Sequence, residues 1–526
     1  MCSKSCLLAL ATIALIVPVR LLAQVPPPPE IDVILWFDTE DYLSPSDDDA
    51  DKRLAEMLSQ RHLRATFKIV GEKARVLEKR GRRDVIEALK QHCIGFHGNY
   101  HSVHPAPAEY LADCGLLDGM AEFTRREGPG AADVRRIFGV PFLACYGQPG
   151  SSWAAQAVAA LPRCGVQVNG IPCYLDSGNH VGVGGTPFWY CGALVVYDMH
   201  PNETRMELFA EGGLERGEKD FTQIAGRLAR GGGGLISIFY HPCEWMTDGF
   251  WDAANFVRGA NPPREQWKPP PQRPAEQSEQ AFERFATYLD FMRSSPGVKF
   301  VAACDLPGMY PDRLMTQGAS LGEVLELARR LGRADVKGLD DEMIDGKTFS
   351  PADQFEILTM ALARLIDGQN AANLPAIVPD RLLGPDGPPP GERDALTSIS
   401  WPALRDALTS ISWPALRDAT LDVRDYLRVN HRVPSRVFIG ADAIPPADFL
   451  PAVASAIQAK NDSHAFPPTI PLGRHVEVLT SRYVAKDDRR LFSGWIIHKA
   501  DFRAPRIMEV ARLQAWTFKP AMRLAP

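Results

Sequence analysis

The alternation of apolar, strand-like runs with helix-like stretches between residues 31 and 312 limits the fold of this chain more than any other feature. The first run, Ile31–Phe37, is almost continuously apolar, which is typical of a strand covered on both faces. Further strands are predicted at 64–70, 138–146, 165–168, 194–197, 235–240 and 298–303, and helices at 51–60, 82–91, 153–161, 221–230 and 276–294. Strands that alternate with helices predict a parallel sheet, and we expect an α/β fold in which this sheet closes into a barrel.

Acidic and imidazole side chains follow two apolar runs. Asp38, Glu40 and Asp41 stand at the end of the first run, and His97 and His101 follow another one about sixty residues later. In barrels of parallel strands, side chains from different strands meet at the carboxyl ends of the strands. Carboxylate and imidazole ligands at close spacing can hold a catalytic zinc with one open coordination position. The pattern therefore indicates metal-assisted hydrolysis.

Both groups of residues also have a simpler interpretation. Acids so close together resist full ionisation unless a cation is present, and a metal would let one acid bind it while another takes a proton from water. An acidic, solvated turn is the alternative. His97 and His101 are four residues apart and would share one face of a helix, with His104 three residues further on. Two surface histidines can have this spacing by chance.

Five segments between residues 31 and 312 together resemble the NodB-homology polysaccharide deacetylases. Their combination and order are more specific than any single segment. The segments are F-D-T-E-D-Y at 37–42, R-A-T-F-K-I-V-G-E at 64–72, I-G-F-H-G-N-Y-H at 94–101, P-G-S-S-W-A-A-Q-A-V-A-A-L at 149–161 and I-S-I-F-Y-H-P-C-E-W at 236–245.

This resemblance implies an irregular (β/α) barrel that binds a metal, usually zinc, with another divalent metal as the alternative. The residues that match the family's site are the metal ligands His97, His101 and Glu40, with Asp41 as the alternative carboxylate, the general base Asp38 and the proton donor His241. The implied reaction has the metal polarise an acetyl carbonyl, Asp38 deprotonate the attacking water, and His241 protonate the leaving nitrogen. A purely structural His-Pro pair at a strand end is the alternative for His241.

One segment departs from the family pattern. The third motif is Arg-x-Pro, and its arginine orients the catalytic aspartate, whereas residues 146–150 read Y-G-Q-P-G, with Gly147 at the arginine position. A hydrogen bond to a charged group contributes about 1.5–3 kcal/mol, so its loss predicts reduced, altered or absent activity. The residues that could replace the contact are Gln148, Arg135 and Arg136. The candidates for the family's fourth motif are Asp176, Trp189 and Asp198.

The start of the chain resembles a secretory signal peptide. Lys4 precedes an apolar stretch, Leu7–Val17, which is too short to span a membrane, and Ala23 is a small residue suited to cleavage. A buried or anchoring helix is the alternative. We therefore predict a signal peptide at 1–23, a proline-rich linker at 24–30, a secreted or periplasmic protein, and no membrane span in the mature chain.

Charge and cysteine content narrow the classes of partner. The chain carries 58 lysines and arginines against 64 aspartates and glutamates, a net charge of −6, without a basic block, so we predict no nucleic-acid partner. Eight of the ten cysteines lie beyond the predicted signal peptide. An even number in an oxidising compartment permits up to four disulfides, and no C-x-x-C pair indicates a thiolate zinc site.

Beyond Asp312 the pattern changes to helices and turns, so we place a domain boundary there and predict a mainly helical region at 313–526. Twelve residues are duplicated in tandem at 394–405 and 406–417, and Trp401 and Trp413 in them either stack on carbohydrate or pack at helix starts. The stretch 419–457 resembles a pseudomurein-binding-type repeat, which implies cell-wall binding. A small helical domain that packs on the barrel is the alternative.

Taken together, these features predict a secreted, metal-dependent hydrolase that removes N-acetyl groups from polysaccharide or a related amide. Its expected partner is an N-acetylated polysaccharide or cell-wall polymer. One alternative is a catalytically impaired carbohydrate-binding protein of the same fold, which Gly147 favours. The other is an amidohydrolase acting on a small C–N substrate, which a close-fitting pocket instead of an open groove would favour.

Overall fold

The computed structural model of the protein describes residues 29–333, 336–370, 373–390, 410–472 and 475–524. The predicted signal peptide and the first copy of the duplicated segment, at 394–405, lie outside these residues. In the part of the chain that is described, no helix is long and apolar enough to cross a membrane.

A parallel sheet around strand β1 organises the first part of the chain. Its strands are β1 Ile31–Thr39, β2 Thr66–Ile69, β3 Cys93–Phe96, β7 Gly234–Tyr240 and β8 Val298–Val301. Three more strands of this part, β4 Cys173–Leu175, β5 Phe188–Tyr190 and β6 Ala193–Val196, lie outside this sheet. One edge of β1 pairs with β7, and the other pairs first with β8 and then with β2, which pairs with β3. The carboxyl ends of β1, β2, β3 and β7 therefore meet at one edge of the sheet.

Strand β1 is buried on both faces, as its apolar run predicts. Val33, Leu35 and Phe37 pack in the largest hydrophobic core, whereas Ile34 and Trp36 pack in a smaller core on the opposite face. Because side chains alternate along a strand, Asp38 continues the face of Ile34 and Trp36. This face leads to the polar pocket described below.

The sheet is extended by short contacts but not closed. Isolated parallel bridges join Phe96 to Tyr146, Tyr146 to Tyr174, and Glu203 to Ser237. Strands β4, β6 and β5 form a further sheet with the last strand of the chain. The strand pairs among residues that the structure describes do not close into a barrel. What is present is mixed α/β structure with a parallel sheet.

In the described part of the chain, eleven α-helices lie between or directly after these strands. They are α1 Pro45–Gln60, α2 Gly71–Lys79, α3 Arg83–Leu89, α4 Pro107–Leu111, α5 Leu116–Phe138, α6 Ala155–Ala160, α7 Gly213–Arg230, α8 Trp251–Asn255, α9 Ala275–Ser294, α10 Leu306–Met309 and α11 Arg313–Gln317. The strand predicted at 138–146 is wrong, because α5 ends at Phe138 and only bridges at Leu143 and Tyr146 follow. The interior Pro129 conceals α5 in the sequence, but its buried residues recur at helical spacing.

A second hydrophobic core lies mainly beyond residue 312. Its helices are α12 Leu321–Leu331, α13 Pro351–Ile366, α14 Trp413–Asn430 and α15 Pro446–Ser463. Short strands accompany them: β9 Gly338–Leu339, β10 Glu342–Ile344, β11 Lys347–Phe349, β12 Ser410–Ser412, β13 Val437–Ile439, β14 Asp442–Ile444, β15 Thr469–Pro471 and β16 Glu477–Val478. The stretch 419–457 thus contains most of α14, the β13–β14 hairpin and part of α15, and its resemblance to a cell-wall-binding repeat stays a prediction.

Trp413 stands at the first position of α14. Its ring stacks on Phe466 with 3.8 Å between the ring centroids, which is the packing alternative given for it above. Trp401 lies outside the described residues, so either role for it stays a prediction.

The last part of the chain returns to the first core. Helix α16 Pro505–Gln514 and strand β17 Lys519–Pro520 follow the second core, and β17 pairs antiparallel with β5. Buried side chains between 484 and 518, among them Phe492 and Phe518, belong to the first core. The domain boundary at residue 312 stays a prediction, and side chains such as Phe492 and Phe518 pack in the core formed before that boundary.

Candidate metal and active site

The strand ends named in the sequence analysis converge on one pocket of about 450 Å³. Asp38 and Glu40 lie at the end of β1, His97 follows β3, and His241 follows β7. His101 reaches the same pocket from the turn after β3. The parallel arrangement of β1, β3 and β7 explains why residues about 200 positions apart meet here.

Three of the predicted metal ligands lie together. Glu40 Oε2 is 2.9 Å from His101 Nε2 and 3.5 Å from His97 Nε2, and the two Nε2 atoms are 3.1 Å apart. All three side chains are buried. His97 and His101 do not share a helix face as expected, because residues 97–104 form a turn in which Gly98 and His101 have φ values of 84° and 58°.

The outer hydrogen bonds of the two histidines indicate which ring nitrogen is free. His97 Nδ1 lies 3.0 Å from the Gly147 carbonyl oxygen, which can only accept, so Nδ1 carries the proton. His101 Nδ1 lies 2.7 Å from Ser102 Oγ, whose own hydrogen is donated to Asp252 Oδ2 at 2.9 Å. Both Nε2 atoms therefore point lone pairs at each other and at a carboxylate oxygen. This donor set fits a divalent cation such as zinc.

Asp41 and His104 lie apart from this donor set. Asp41 Oδ1 accepts hydrogen bonds from the backbone of Leu43 at 2.7 Å and Ser44 at 3.2 Å, so its carboxylate stabilises the turn before α1. His104 Nδ1 lies 2.7 Å from Glu109 Oε2. Of the two carboxylates proposed as ligands, Glu40 is the one that the structure brings to the histidines.

A lysine stands where the resemblance expects an arginine. The register of β1 and β2 places Asp38 beside Lys68, whose Nζ is 2.8 Å from Asp38 Oδ1 and donates to Asp176 Oδ2 at 2.8 Å. A Cβ atom on Gly147 would lie 2.1 Å from Lys68 Nζ and 2.2 Å from Asp176 Oδ2. Residue 147 has to be glycine because Lys68 and Asp176 already fill the space of a side chain.

Two of the three residues suggested as substitutes for the missing arginine, Gln148 and Arg136, are engaged elsewhere. Gln148 accepts a hydrogen bond from the Tyr174 hydroxyl and donates to the Gly150 carbonyl. Arg136 pairs with Glu78 at the surface. Asp176, a candidate for the fourth motif, forms an ion pair with Lys68.

His241 is held by a second ion-pair network. Its Nδ1 lies 2.9 Å from Glu244 Oε1, and Glu244 is itself paired with Arg205. Its Nε2 points towards Asp38 Oδ2 at 3.6 Å. This arrangement presents the Nε2 atom of His241 and a carboxylate oxygen of Asp38 to the same part of the pocket.

Burial and charge give Asp38 and His241 opposite protonation states at neutral pH. Burial lowers the pKa of His241, but the hydrogen bond that its Nδ1 donates to Glu244 and the charges of nearby carboxylates have the larger effect and raise this pKa to about 9. Burial raises the pKa of Asp38, but the charges of His97, Lys68 and His241 outweigh it and lower the pKa below its usual value. Asp38 is therefore an ionised carboxylate beside a protonated imidazole.

Sequence reasoning missed several supporting residues. Lys68 carries a visible signal, since it is a charged residue inside an apolar strand, and Glu244 lies three residues after His241 in the H-P-C-E segment. Asp252 and Trp495 carry no local signal, because they meet from positions 243 residues apart. None of the eight cysteines in the described residues is paired, so the disulfides that their number permits are not formed there.

No protein-family model matches the chain, and no curated protein matches it in sequence. Solved structures that resemble it include a Mycobacterium smegmatis protein assigned as a polysaccharide deacetylase, with 14% identity, a TM-score of 0.33, and coverage of 54% of this chain and 91% of that one. A CE4 esterase from Streptococcus mutans has 12% identity, a TM-score of 0.30, and coverage of 52% and 86%. A peptidoglycan deacetylase from Bacillus subtilis has 12% identity, a TM-score of 0.26, and coverage of 57% and 97%. At these similarities only the chain's own residues bear on its chemistry.

Proposed function

We propose that the protein is a secreted or periplasmic, metal-dependent hydrolase that removes acetyl groups from an N-acetylated polysaccharide or a related amide. One observation carries the proposal: Asp38 and His241 lie 3.6 Å apart next to Glu40, His97 and His101. Titratable groups whose surroundings drive their pKa values in opposite directions are suited to act as base and acid in one reaction.

Glu40, His97 and His101 would hold the metal. A bound zinc, or another divalent cation, would polarise the carbonyl oxygen of the amide. Asp38 would take a proton from the attacking water, and Lys68 keeps Asp38 ionised and fixed for this step. His241 would donate its Nε2 proton to the nitrogen as the C–N bond breaks, leaving a carboxylic acid and a free amine.

The alternative of a catalytically impaired binding protein depended on the glycine at position 147. The contact of Lys68 with Asp38 supplies a cation at the position where the arginine was missing. An active enzyme is therefore the better supported interpretation, and the activity itself stays a proposal.

A small C–N substrate is favoured by a specific feature of the pocket. Arg490, Leu491, Gly494 and Trp495, far along the chain, line it together with Phe250. A pocket of about 450 Å³ lies within the range of ~300–1,000 Å³ that is usual for small-molecule sites. We propose a small N-acylated compound as the second candidate substrate.

The test measures acetate released by the zinc-loaded protein from N-acetylglucosamine oligomers, from purified cell wall and from small N-acetyl amides. We expect release from at least one of these, and release slower by about 10²–10⁴-fold with the Asp38→Asn variant. Equal release by the variant and the wild type would show that contaminating enzymes cause it, and absence of release from every substrate would contradict the proposal.

A further inference from the structure

The segment 490–498 crosses the pocket from the far end of the chain. Ser151 Oγ donates to the carbonyl of Phe492 at 2.8 Å, which ties the segment to the loop after Tyr146. The amides of Arg258 and Gly259 donate to the carbonyls of Ile496 and Ile497 at 2.6 and 2.8 Å. These backbone contacts fix the segment to loops on two sides of the site.

Trp495 is the residue of this segment that contacts the hydrogen-bond partners of the predicted ligand His101. Its Nε1 donates to Asp252 Oδ2 at 2.6 Å, and its ring lies edge-on to Phe250 with 4.9 Å between centroids. A Cβ atom on Gly150 would lie 2.8 Å from Trp495 Cβ, so glycine at 150 allows the close approach. The indole is therefore held from several sides with its N–H directed at one carboxylate.

Asp252 connects Trp495 to His101 through Ser102. Its side chain is fully buried, and Oδ1 accepts from the Ala253 amide at 2.7 Å while Oδ2 accepts from Trp495 and Ser102. Because Ser102 gives its only hydroxyl hydrogen to Asp252, its oxygen is left to accept from His101 Nδ1. The chain of contacts thus sets both the ring orientation and the protonated nitrogen of His101.

We propose that Trp495 is a positioning residue of the metal site, acting through Asp252 and Ser102 on His101. The inference rests on the proposed metal site and adds to it a support from the last part of the chain. Outer partners of a metal-binding histidine orient the ring and fix its tautomer, and their loss commonly weakens metal binding 10–100-fold. Three hydrogen bonds separate Trp495 from the histidine, so we expect a loss of about tenfold, at the lower end of that range.

The test compares the zinc affinity of the full-length wild type with that of Trp495→Phe, by competition with a chromophoric chelator. The phenylalanine keeps an aromatic ring beside Phe250 but lacks the N–H. The matched control is Trp413→Phe, in the second core, which should bind zinc as the wild type does. We also expect Trp495→Phe to add little to the loss in Ser102→Ala, since both act through one pathway.

The outcomes separate this inference from the proposed function. If the wild type binds no zinc, the metal site itself is contradicted. If the wild type binds zinc and Trp495→Phe binds it equally well, only the positioning role is overturned. Thermal unfolding of the metal-free proteins shows whether Trp495→Phe is folded; if it is not, Ser102→Ala tests the same pathway, and wild-type affinity in that variant overturns it.

Discussion

The two sides of the pocket differ in how they balance their negative charge. On the proton-transfer side, Asp38 has Lys68 beside it, and His241 is backed by Glu244 and Arg205. On the metal side, the ion-pair partners of Glu40 within the described part of the chain are the imidazoles of His97 and His101. One side carries its own cations, whereas the other has donor atoms that converge without one. In the proposed metal site, the second side would therefore take its cation from outside the protein.

The largest effect is expected from breaking the metal side. The double variant His97→Ala, His101→Ala removes two of the three converging ligands, so stoichiometric zinc and all turnover should be lost. Elemental analysis of the purified protein measures this, with His104→Ala as the control that keeps its zinc. Full zinc occupancy in the double variant would place the metal elsewhere.

Asp38→Asn breaks the proton-transfer side alone. The variant should keep its zinc but lose turnover by about 10²–10⁴-fold, the usual contribution of a general base. Zinc content and kcat are measured on the same preparation. Asp41→Asn is the control, because that carboxylate serves a backbone turn and its loss should leave kcat nearly unchanged. Loss of zinc from Asp38→Asn would make Asp38 a ligand.

Lys68→Met tests how much the lysine beside Asp38 contributes to stability. Removing it leaves Asp38 and Asp176 buried without their shared partner, which should lower the free energy of unfolding by about 3–5 kcal/mol. Denaturant unfolding of the metal-free protein at pH 7 measures this. The control Lys52→Met removes an exposed ion pair and should cost about 1 kcal/mol or less. Equal losses would mean that the Lys68 contacts contribute no more than a surface pair.

The smallest expected effect is a shift in pH dependence. His241 acts as the acid only while protonated, so activity should fall as the pH rises through about 9. Glu244→Gln removes the hydrogen bond and charge that raise this pKa, so the alkaline limb of the kcat profile should move to lower pH. Glu207→Gln, which removes an exposed partner of Arg205, should leave the limb in place. An unmoved limb in Glu244→Gln would assign it to another group.

The sequence predicted the parts of this arrangement that lie in continuous segments. The apolar run of β1 and the residues that follow β1, β3 and β7 were identified because each strand carries its polar residues at its own end. The metal side was predicted with one alternative, Asp41, which sequence spacing alone could not separate from Glu40. Helix α5 was missed because a glycine–proline–glycine sequence in its interior is typical of a helix end, although its buried residues keep helical spacing.

What could not be predicted depends on contacts between distant segments. Gly147 suggested an unsupported Asp38, and only the register of β1 with β2 shows that Lys68 provides the support. The contact of Trp495 with Asp252 joins positions 243 residues apart. Neither Trp495 nor Asp252 is unusual in its own segment, so local sequence patterns contain no information about this contact.

The late position of Trp495 has a consequence for the order in which the site is assembled during synthesis. Trp495 follows His101 by 394 residues. At ~5–20 residues per second, a ribosome takes roughly 20–80 s to cover that distance. Throughout this interval the nascent chain has both histidines but lacks the indole that supports one of them. If the proposed positioning role holds, tight metal loading follows translation, and a chain released early carries a weakened metal centre.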